Sequence, residues 1–439
     1  MSRSAMDRGA RLEEIAEAIG DGALLLWAPG ETVRSHDTAW PYRPDSDFWY
    51  VTGFAEPEAV LVYRPRSESP VTLFVRPRDR EREIWDGRRA GPEGALSEYG
   101  ADAAWPLDEL DARLPELLSG VDALWTPLGR DEAMDRRIHG WLGKLRGNRR
   151  QPDRAPTTIR DPRPLLHGMR RRKSLEERLL LGAAASLSAR AHLAAMRRLR
   201  PGWSEYRLQA LIEQVFREGG ASGPAYNSIV AGGANACILH YTENRDELRD
   251  GDLVLVDAGA ELGMYAGDIT RTFPVGRSFT APQRDLYSAV LEVQVDAVAA
   301  IRPGMRHADL HQRVIDGLID RLLVLGLVRG SRDEVVETES WKRYFMHGTG
   351  HYLGIDVHDV GPYYAQDGES LPYVEGVVVT VEPGLYVAPD DGEAPEVFRG
   401  IGVRIEDDVV VTADGHEVLT ADVPKEVDAI EALREAALG

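Results

Sequence analysis

Four acidic residues of this 439-residue chain lie at or near the ends of apolar, strand-like segments. They are Asp257, Asp268, Glu382 and Glu406. Carboxylates at the ends of buried strands are costly to remove from water without a positive partner, and no lysine is near them in the sequence. We therefore expect divalent metal ions to neutralise the negative charge of these carboxylates, because four acids and a histidine could hold two ions. Two ions about 3.5–4 Å apart suit hydrolysis. For any one acid alone, a turn cap is the commoner explanation.

Three histidines fall within the segment M-H-G-T-G-H-Y-L-G-I-D-V-H-D-V-G (346–361). His347 and His351 have the spacing of the helical zinc motif H-E-x-x-H, but the interspersed glycines oppose a helix. The segment is therefore predicted to be loop and strand, where glycine permits close backbone approach to a ligand. One histidine would bind metal, and the others, including His358, would contact substrate. His240, in C-I-L-H-Y-T-E-N (237–244), is by itself more often a hydrogen-bonded loop residue.

The elements that must position these residues belong to the C-terminal part of the chain. Ser174 and Glu177 form a predicted capping box that opens a long helix, and Pro201-Gly202 stops it. A similar helix runs from Thr280 to the second Arg-Pro-Gly turn, at 302–304. Each is followed by a second helix and by strands, which predicts two related helix–helix–hairpin halves. Chance similarity of the two turns is the alternative. Each half would carry two of the acids on facing strands of an antiparallel pair, with Asp268 and Glu406 inside their strands.

The first 170 residues have a different pattern. Apolar runs at 23–30, 59–63 and 71–75 predict strands, and the segment 107–118 predicts a helix. A Pro/Arg-rich segment at 152–164 is interpreted as a connection. The sequence therefore predicts an α+β protein of two domains, a mixed α/β domain over 1–172 and a catalytic domain over 173–439, as the length also suggests.

Composition excludes several classes of protein. The net charge of −20 argues against nucleic acid and anionic membranes as partners, since both need a basic face. The basic run at 170–173 is interpreted as a solvated stretch before a helix. No apolar run approaches the roughly 20 residues of a membrane helix, and residues 1–16 lack a signal-peptide core. A single cysteine, Cys237, permits no internal disulfide, so we expect a cytoplasmic protein.

Taken together, these motifs resemble the five-ligand signature of the pita-bread metallopeptidases, which include methionine aminopeptidase, prolidase and aminopeptidase P. The matching motifs are D-A-G-x(8)-D-I-T-R-T-F, H-G-x-G-H-x-L-G-x-D-V-H-D, T-V-E-P-G-L-Y and G-I-G-V-R-I-E-D-D. Two N-terminal segments are similar to the leading domain of bacterial aminopeptidase P, namely S-D-F-W-Y-V-T-G-F-x-E-P-E-A-V-L-V (46–62) and E-I-W-D-G-R-R (83–89). The resemblance thus covers almost the whole chain and implies the pita-bread fold, with a creatinase/prolidase-like N-terminal domain.

The resemblance also implies a metal site. Asp257 would bind one ion, Asp268 and Glu406 would bridge two, and His351 and Glu382 would complete the second. The ions would be two Mn²⁺ per subunit, because hard oxygen ligands suit manganese, with Co²⁺ or Zn²⁺ as alternatives. A water bridging the ions would attack the scissile carbonyl as hydroxide. Glu382 would carry its proton, first as base and then as acid.

Further residues match family positions that contact substrate. His358 would stabilise the oxyanion, His240 would lie near the leaving proline nitrogen, and His347 would line the proline pocket. Tyr386 and Arg404 match residues that hydrogen-bond within the site, although both could be ordinary strand residues. Trp85 matches a tryptophan that reaches a neighbouring subunit's site, with plain packing as the alternative. Assembly into a homotetramer or homodimer is therefore expected.

The favoured activity is cleavage of the N-terminal residue from peptides with proline in second position. Prolidase, which cleaves Xaa-Pro dipeptides, shares the ligands and stays open. Methionine aminopeptidase fits less well because it usually lacks so large a leading domain. A non-catalytic binding protein of this fold would not need all five ligands, and a creatine-type amidinohydrolase does not share the five-ligand set.

Overall fold

The computed structural model describes residues 8–147, 150 and 154–439. The chain divides into two compact units between Gly168 and Met169. The boundary expected from the sequence, between residues 172 and 173, follows the helix that spans this division, Arg163–Arg171. Residues 1–7, at the start of the segment 1–16 that is predicted to lack a signal-peptide core, lie outside the described residues.

The N-terminal unit is built on a mixed six-stranded sheet of order β6-β5-β4-β1-β7-β8. Its strands are β1 (Ala23–Ala28), β4 (Ala59–Tyr63), β5 (Val71–Val75), β6 (Ala103–Pro106), β7 (Ala123–Trp125) and β8 (Thr158–Arg160), with β2 (Val33–Ser35) and β3 (Thr38–Ala39) as a separate hairpin. Every residue of β1, β4 and β5 is buried, which explains their continuous apolar runs. The three strands predicted here are confirmed.

Helices cover this sheet. They are α1 (Arg8–Ile19), α2 (Ser46–Thr52), α3 (Arg80–Asp86), α4 (Gly91–Ser97), α5 (Leu110–Leu117) and α6 (Glu132–Arg146), with a 3₁₀ turn at Leu107–Glu109 and α7 (Arg163–Arg171) at the division. The segment 152–164 is not only a connection, as the sequence suggested. Residues 152 and 153 are outside the described residues, but 158–160 form β8, which pairs in parallel with β7. Such pairing depends on distant residues and leaves no local signal.

The C-terminal unit contains two halves of the same order. The helices are α8 (Leu175–Arg198), α9 (Glu205–Glu218), α10 (Ala281–Ala300), α11 (His307–Val324), α12 (Arg332–Glu337) and α13 (Val427–Leu438), with 3₁₀ turns at Gly233–Cys237, Ser340–Arg343 and Glu396–Phe398. The predicted capping box is present at Ser174, and the helix predicted to begin at Thr280 also begins with a capping box. Gly202 and Gly304, in the two Arg-Pro-Gly turns, have φ of 85° and 86°. Such left-handed values favour glycine, so the two turns are structurally equivalent.

The strands of this unit form small antiparallel sheets. They are β9 (Trp203–Ser204), β10 (Gly223–Pro224), β11 (Ile229–Gly232), β12 (Glu247–Leu248), β13 (Leu253–Asp257), β14 (Ala260–Leu262), β15 (Tyr265–Ala266), β16 (Thr270–Pro274), β17 (Val378–Val381), β18 (Gly384–Val387), β19 (Ile401–Arg404), β20 (Asp407–Val411) and β21 (His416–Val418). The first half contributes β11-β13-β16, and the second contributes β17-β20-β21 with β18-β19. One apolar core joins the two halves, so the predicted two-half architecture is confirmed.

Two expectations from the sequence have different outcomes. By length and composition α8 could cross a membrane, but it fits a core helix as well, because 56% of its most apolar stretch is buried. The interpretation of the basic run at 170–173 as a solvated stretch is wrong, because Arg170 and Lys173 are only 2% and 3% exposed. Asp359 contacts both of them, and this distant partner is not visible in the local sequence.

Candidate metal centre

The four acids emerge from the ends of paired strands. Asp257 ends β13, and Glu382 directly follows β17. Asp268 and Glu406 do not lie within strands, as the sequence suggested, but just before β16 and β20. The antiparallel pairs β13/β16 and β17/β20 are as predicted. Asp268, Glu382 and Glu406 lie just outside their strands, whereas Asp257 still pairs with Ile229 and Thr270.

The histidine segment is a loop with a single bridge at Tyr352, as predicted, and not a helix. It packs directly against β17, where a side chain at Gly350 would meet the Thr380 carbonyl oxygen at 1.9 Å. The amide of Thr380 donates to the His351 carbonyl oxygen at 2.9 Å, and the amide of Glu382 donates to the Thr349 carbonyl oxygen at 2.8 Å. These contacts place His351 beside the strand that carries Glu382.

All five predicted ligands line one cavity of about 650 Å³. Ligand atoms of Asp268, His351 and Glu406 lie within 4.8 Å of one another. His351 Nε2 is 3.5 Å from Asp268 Oδ2 and 3.8 Å from Glu382 Oε1. His351 Nδ1 donates to the Tyr352 carbonyl oxygen at 3.0 Å, and this contact turns Nε2 toward the acids. The donor set of four carboxylates and one imidazole fits hard divalent cations.

The pKa values in the cavity also indicate a site that favours a bound cation. Burial, with Asp268 and its neighbours, raises the pKa of Glu406 well above its usual range. Burial likewise raises the pKa of Asp257, and that of Glu382 to about 7. Burial would lower the pKa of His351, but Asp268 and Glu382 outweigh it and raise the value to about 9. His351 and, in part, Glu382 therefore retain protons near neutral pH, and bound metal would have to displace them.

Two residues that the sequence analysis missed support the ligands. The Tyr226 hydroxyl lies 2.6 Å from both Asp257 Oδ1 and Asp268 Oδ1, and its single proton is shared between them. Thr270 donates to Glu406 Oε2 at 2.7 Å. The sequence held little to reveal Tyr226, which lies in a loop after the short strand β10. Thr270 does lie within the quoted D-I-T-R-T-F motif, two residues after a ligand, and alternation along the strand could have suggested it.

A chain of hydrogen bonds connects the other predicted residues. Arg404, which is 4% exposed, donates from Nη2 to Asp257 Oδ2 at 2.6 Å and from Nη1 to the Tyr386 hydroxyl at 3.1 Å. That hydroxyl is 2.8 Å from His347 Nε2, while His347 Nδ1 donates to the Gly348 carbonyl oxygen at 2.7 Å. Burial and the charge of Arg404 lower the pKa of His347 to about 4, so its Nε2 is free to accept from Tyr386.

The two remaining histidines line the same cavity. The rings of His358 and His351 are 4.3 Å apart and nearly perpendicular, and His240 lies on the cavity wall. Burial and His351 lower the pKa of His358. Trp85 belongs to α3 of the N-terminal unit, where it is 85% exposed. Its contact with a neighbouring subunit stays a prediction.

Comparison with known proteins places the chain in a family. Residues 180–413 match the model of metallopeptidase family M24, and residues 9–125 match that of the aminopeptidase P N-terminal domain. The chain is 46% identical to the Xaa-Pro aminopeptidase of Escherichia coli K12, over 97% of each sequence. It is 36% identical to Xaa-Pro aminopeptidase 3 of Homo sapiens, over 94% of this chain and 80% of the relative.

Solved structures agree over the full length of the chain. Pseudomonas aeruginosa aminopeptidase PepP has a TM-score of 0.96 and 45% identity, covering 100% of this chain and 99% of that one. A variant of Escherichia coli aminopeptidase P in complex with substrate gives 0.95 at 45% identity with the same coverage. The resemblance inferred from the motifs is therefore confirmed: the chain is a metal-binding hydrolase of metallopeptidase family M24 with an aminopeptidase P-type N-terminal domain.

Proposed function

We propose that this protein is an Xaa-Pro aminopeptidase that releases the first residue of peptides whose second residue is proline. The observation that carries the proposal is the convergence of five metal-ligand candidates and of His240, His347 and His358 on one cavity. The relatives named Xaa-Pro aminopeptidase cover nearly the whole chain, which supports the same activity here.

Two divalent ions, proposed to be Mn²⁺, would be held by the acids and by His351. Such ions, when bound, polarise a carbonyl and make water acidic enough to react near neutral pH. The chain supplies the remaining functions. Glu382, whose pKa lies at about 7 in the buried cluster, is suited to accept a proton and to return it to the leaving nitrogen. His358 is suited to donate a hydrogen bond to the substrate carbonyl oxygen as negative charge develops there.

Preference for proline follows from what the cavity offers. An Xaa-Pro bond has no N–H, and the ring fixes its geometry. A site therefore cannot bind it through a hydrogen bond donated by the scissile amide. Imidazole rings and apolar walls can contact the pyrrolidine ring instead. His347 is held by a hydrogen bond with the Tyr386 hydroxyl, which in turn accepts a hydrogen bond from Arg404. Its ring can therefore form a rigid wall of the pocket. His240 lies on the cavity wall and can contact the substrate beyond the scissile bond.

A second cavity favours longer peptides over dipeptides. It has a volume of about 360 Å³ and shares His240 and Thr242 with the first. Ile238 and Arg245 also line it. This space could hold residues that follow proline, and a dipeptidase would not need it. Prolidase activity is the alternative that this feature argues against.

The test is hydrolysis of Arg-Pro-Pro and of Ala-Pro after metal stripping, and again after addition of Mn²⁺, Co²⁺ or Zn²⁺ separately. Release of arginine from the tripeptide, restored best by Mn²⁺, is the expected result. Cleavage of Ala-Pro alone would make the protein a prolidase. If neither peptide is cleaved while metal is bound, the proposal is wrong.

We also propose a homotetramer or homodimer in the cytoplasm. The exposed indole of Trp85 supports a subunit contact, and the single cysteine suits a reducing compartment. Light scattering of the wild type and of Trp85→Ala tests the assembly. A wild-type monomer would contradict it, and cell fractionation tests the location.

A further inference from the structure

The buried half of the basic run has partners in the histidine loop. Arg170 Nη2 is 2.7 Å from Asp356 Oδ2 and 2.6 Å from Asp359 Oδ1, and Lys173 Nζ is 2.9 Å from Asp359 Oδ2. The side chains of Arg170, Lys173 and Asp359 are each no more than 2% exposed. We call these four residues the charged cluster. None of them has a role in the proposed reaction.

Asp359 directly follows His358, and the two side chains have opposite environments. His358 is exposed to the site cavity, whereas Asp359 is buried. The backbone around them is tightly folded, because the Asp359 amide donates to the Tyr352 carbonyl oxygen at 2.8 Å. A side chain at Gly354 would meet Asp359 Oδ2 at 2.1 Å, so the carboxylate leaves no space there. A shift of the Asp359 backbone is therefore transmitted to His358, which adjoins it in the chain.

We propose that the charged cluster is a positioning device for His358, with Asp359 as the residue through which Arg170 and Lys173 fix the imidazole in the cavity. The inference rests on the proposed function for the task of His358, and on geometry alone for its placement.

The charges of the cluster explain why we expect it to fix the position of His358 while adding little to the free energy of unfolding. Two cations face two carboxylates, so the cluster is neutral overall. The set is largely buried, with only Asp356 partly exposed (34%). Balanced buried charges of this kind often add little stability compared with apolar residues of the same size, but loss of one member leaves an uncompensated charge. Burial works to raise the pKa of Asp359, but Lys173 and Arg170 outweigh it and lower the value. Asp359 therefore stays ionised, and both its oxygens remain bound in a single geometry.

The first experiment compares Asp359→Asn with wild type on an Xaa-Pro tripeptide. Because a small displacement of a catalytic group can reduce the rate about a hundredfold, we expect kcat to fall by about tenfold to a hundredfold and KM to change little. In a His358→Ala background the same substitution should lower kcat by less than about twofold, since effects through one residue are not additive. Multiplicative effects of the two substitutions would overturn the proposal.

A second variant separates position from stability. Lys173→Met/Asp359→Asn removes one charge of each sign and leaves Arg170 with Asp356, so the melting temperature should recover toward wild type while kcat stays low. Recovery of kcat together with stability would show a merely structural role. Arg172→Gln, at an exposed position of the same run, is the matched control and should behave as wild type.

A crystal structure of the double variant tests the placement without any substrate. A His358 ring displaced by about 1 Å or more supports the inference, and an unmoved ring overturns it. If the wild type cleaves no Xaa-Pro peptide, the proposed function fails, and this crystallographic comparison still decides the role of the cluster.

Discussion

Replacing Glu406 by glutamine should stabilise the metal-free protein while preventing metal from stabilising it further. Glu406 is 2% exposed, and burial with three neighbouring carboxylates raises its pKa well above the ordinary 4.5. The folded protein therefore keeps this proton to a higher pH than the unfolded chain does. Between pH 4.5 and the folded pKa, the folded state holds more protons than the unfolded one, so stability falls as pH rises.

The magnitude follows from this difference. Each pH unit above 4.5, up to the folded pKa, costs about 1.4 kcal/mol, so the carboxyl group costs at most about 3 kcal/mol at pH 7 and less than about 1 kcal/mol at pH 5. Glutamine keeps the shape, carries no titratable proton and can still accept from Thr270, which donates to Glu406 at 2.7 Å. Glu406→Gln should therefore raise the free energy of unfolding by up to about 3 kcal/mol at pH 7, and by less at pH 5.

The assay is urea unfolding of chelator-treated protein at pH 5 and pH 7, repeated with Mn²⁺. Metal at a hundredfold above its Kd would stabilise the wild type by about 2.7 kcal/mol, whereas the variant, which lacks one charged ligand, should gain far less. Glu417→Gln, on the exposed side of β21, is the matched control and should change neither quantity. A metal-free Glu406→Gln that unfolds at the same or lower urea than wild type at pH 7 would refute the reasoning.

Three other predictions concern the surroundings of the metal site. Tyr226→Phe removes the hydroxyl shared by two ligand candidates and should weaken Mn²⁺ binding by about tenfold to a hundredfold; unchanged affinity in calorimetric titration would contradict this. Thr349→Val removes the contact with His311 Nδ1 at 2.9 Å and should cost about 1–3 kcal/mol of stability, whereas Thr349→Ser should cost much less by thermal unfolding. Metal affinity should fall as pH is lowered from 9 to 6, because the metal must displace protons from His351 and Glu382, whose pKa values are about 9 and 7. Calorimetric titration in two buffers of different ionisation enthalpy should reveal proton release at pH 7. Absence of proton release would contradict this linkage.

Elements with local sequence signals could be predicted. The capping boxes at Ser174 and Thr280 begin helices as predicted, because their hydrogen bonds join residues three apart. The continuous apolar strands 59–63 and 71–75 form buried strands of those same bounds, because burial on both faces requires apolar side chains throughout. The loop character of 346–361 followed from its glycines, which weaken a helix.

Features that depend on distant partners were not predictable in the same way. Strand β8 forms from a Pro/Arg-rich segment because β7 pairs with it. Arg170 and Lys173 were interpreted as solvated because their counter-charge, Asp359, is far away in sequence. The hydroxyl of Tyr226 joins Asp257 to Asp268, and neither its type nor its neighbours in the chain indicate that contact.

By itself, the sequence determined the identity and order of the five ligand candidates, their pairing across two related halves, and the family to which the chain belongs. Order and spacing carry that information because metal ligands must be specific residue types on specific strands. Only the tertiary structure decided which groups surround those ligands and how far burial and neighbouring charges shift their pKa values. The pKa of a carboxyl such as Glu382 depends on burial and on charges brought close by folding, and no local pattern records them.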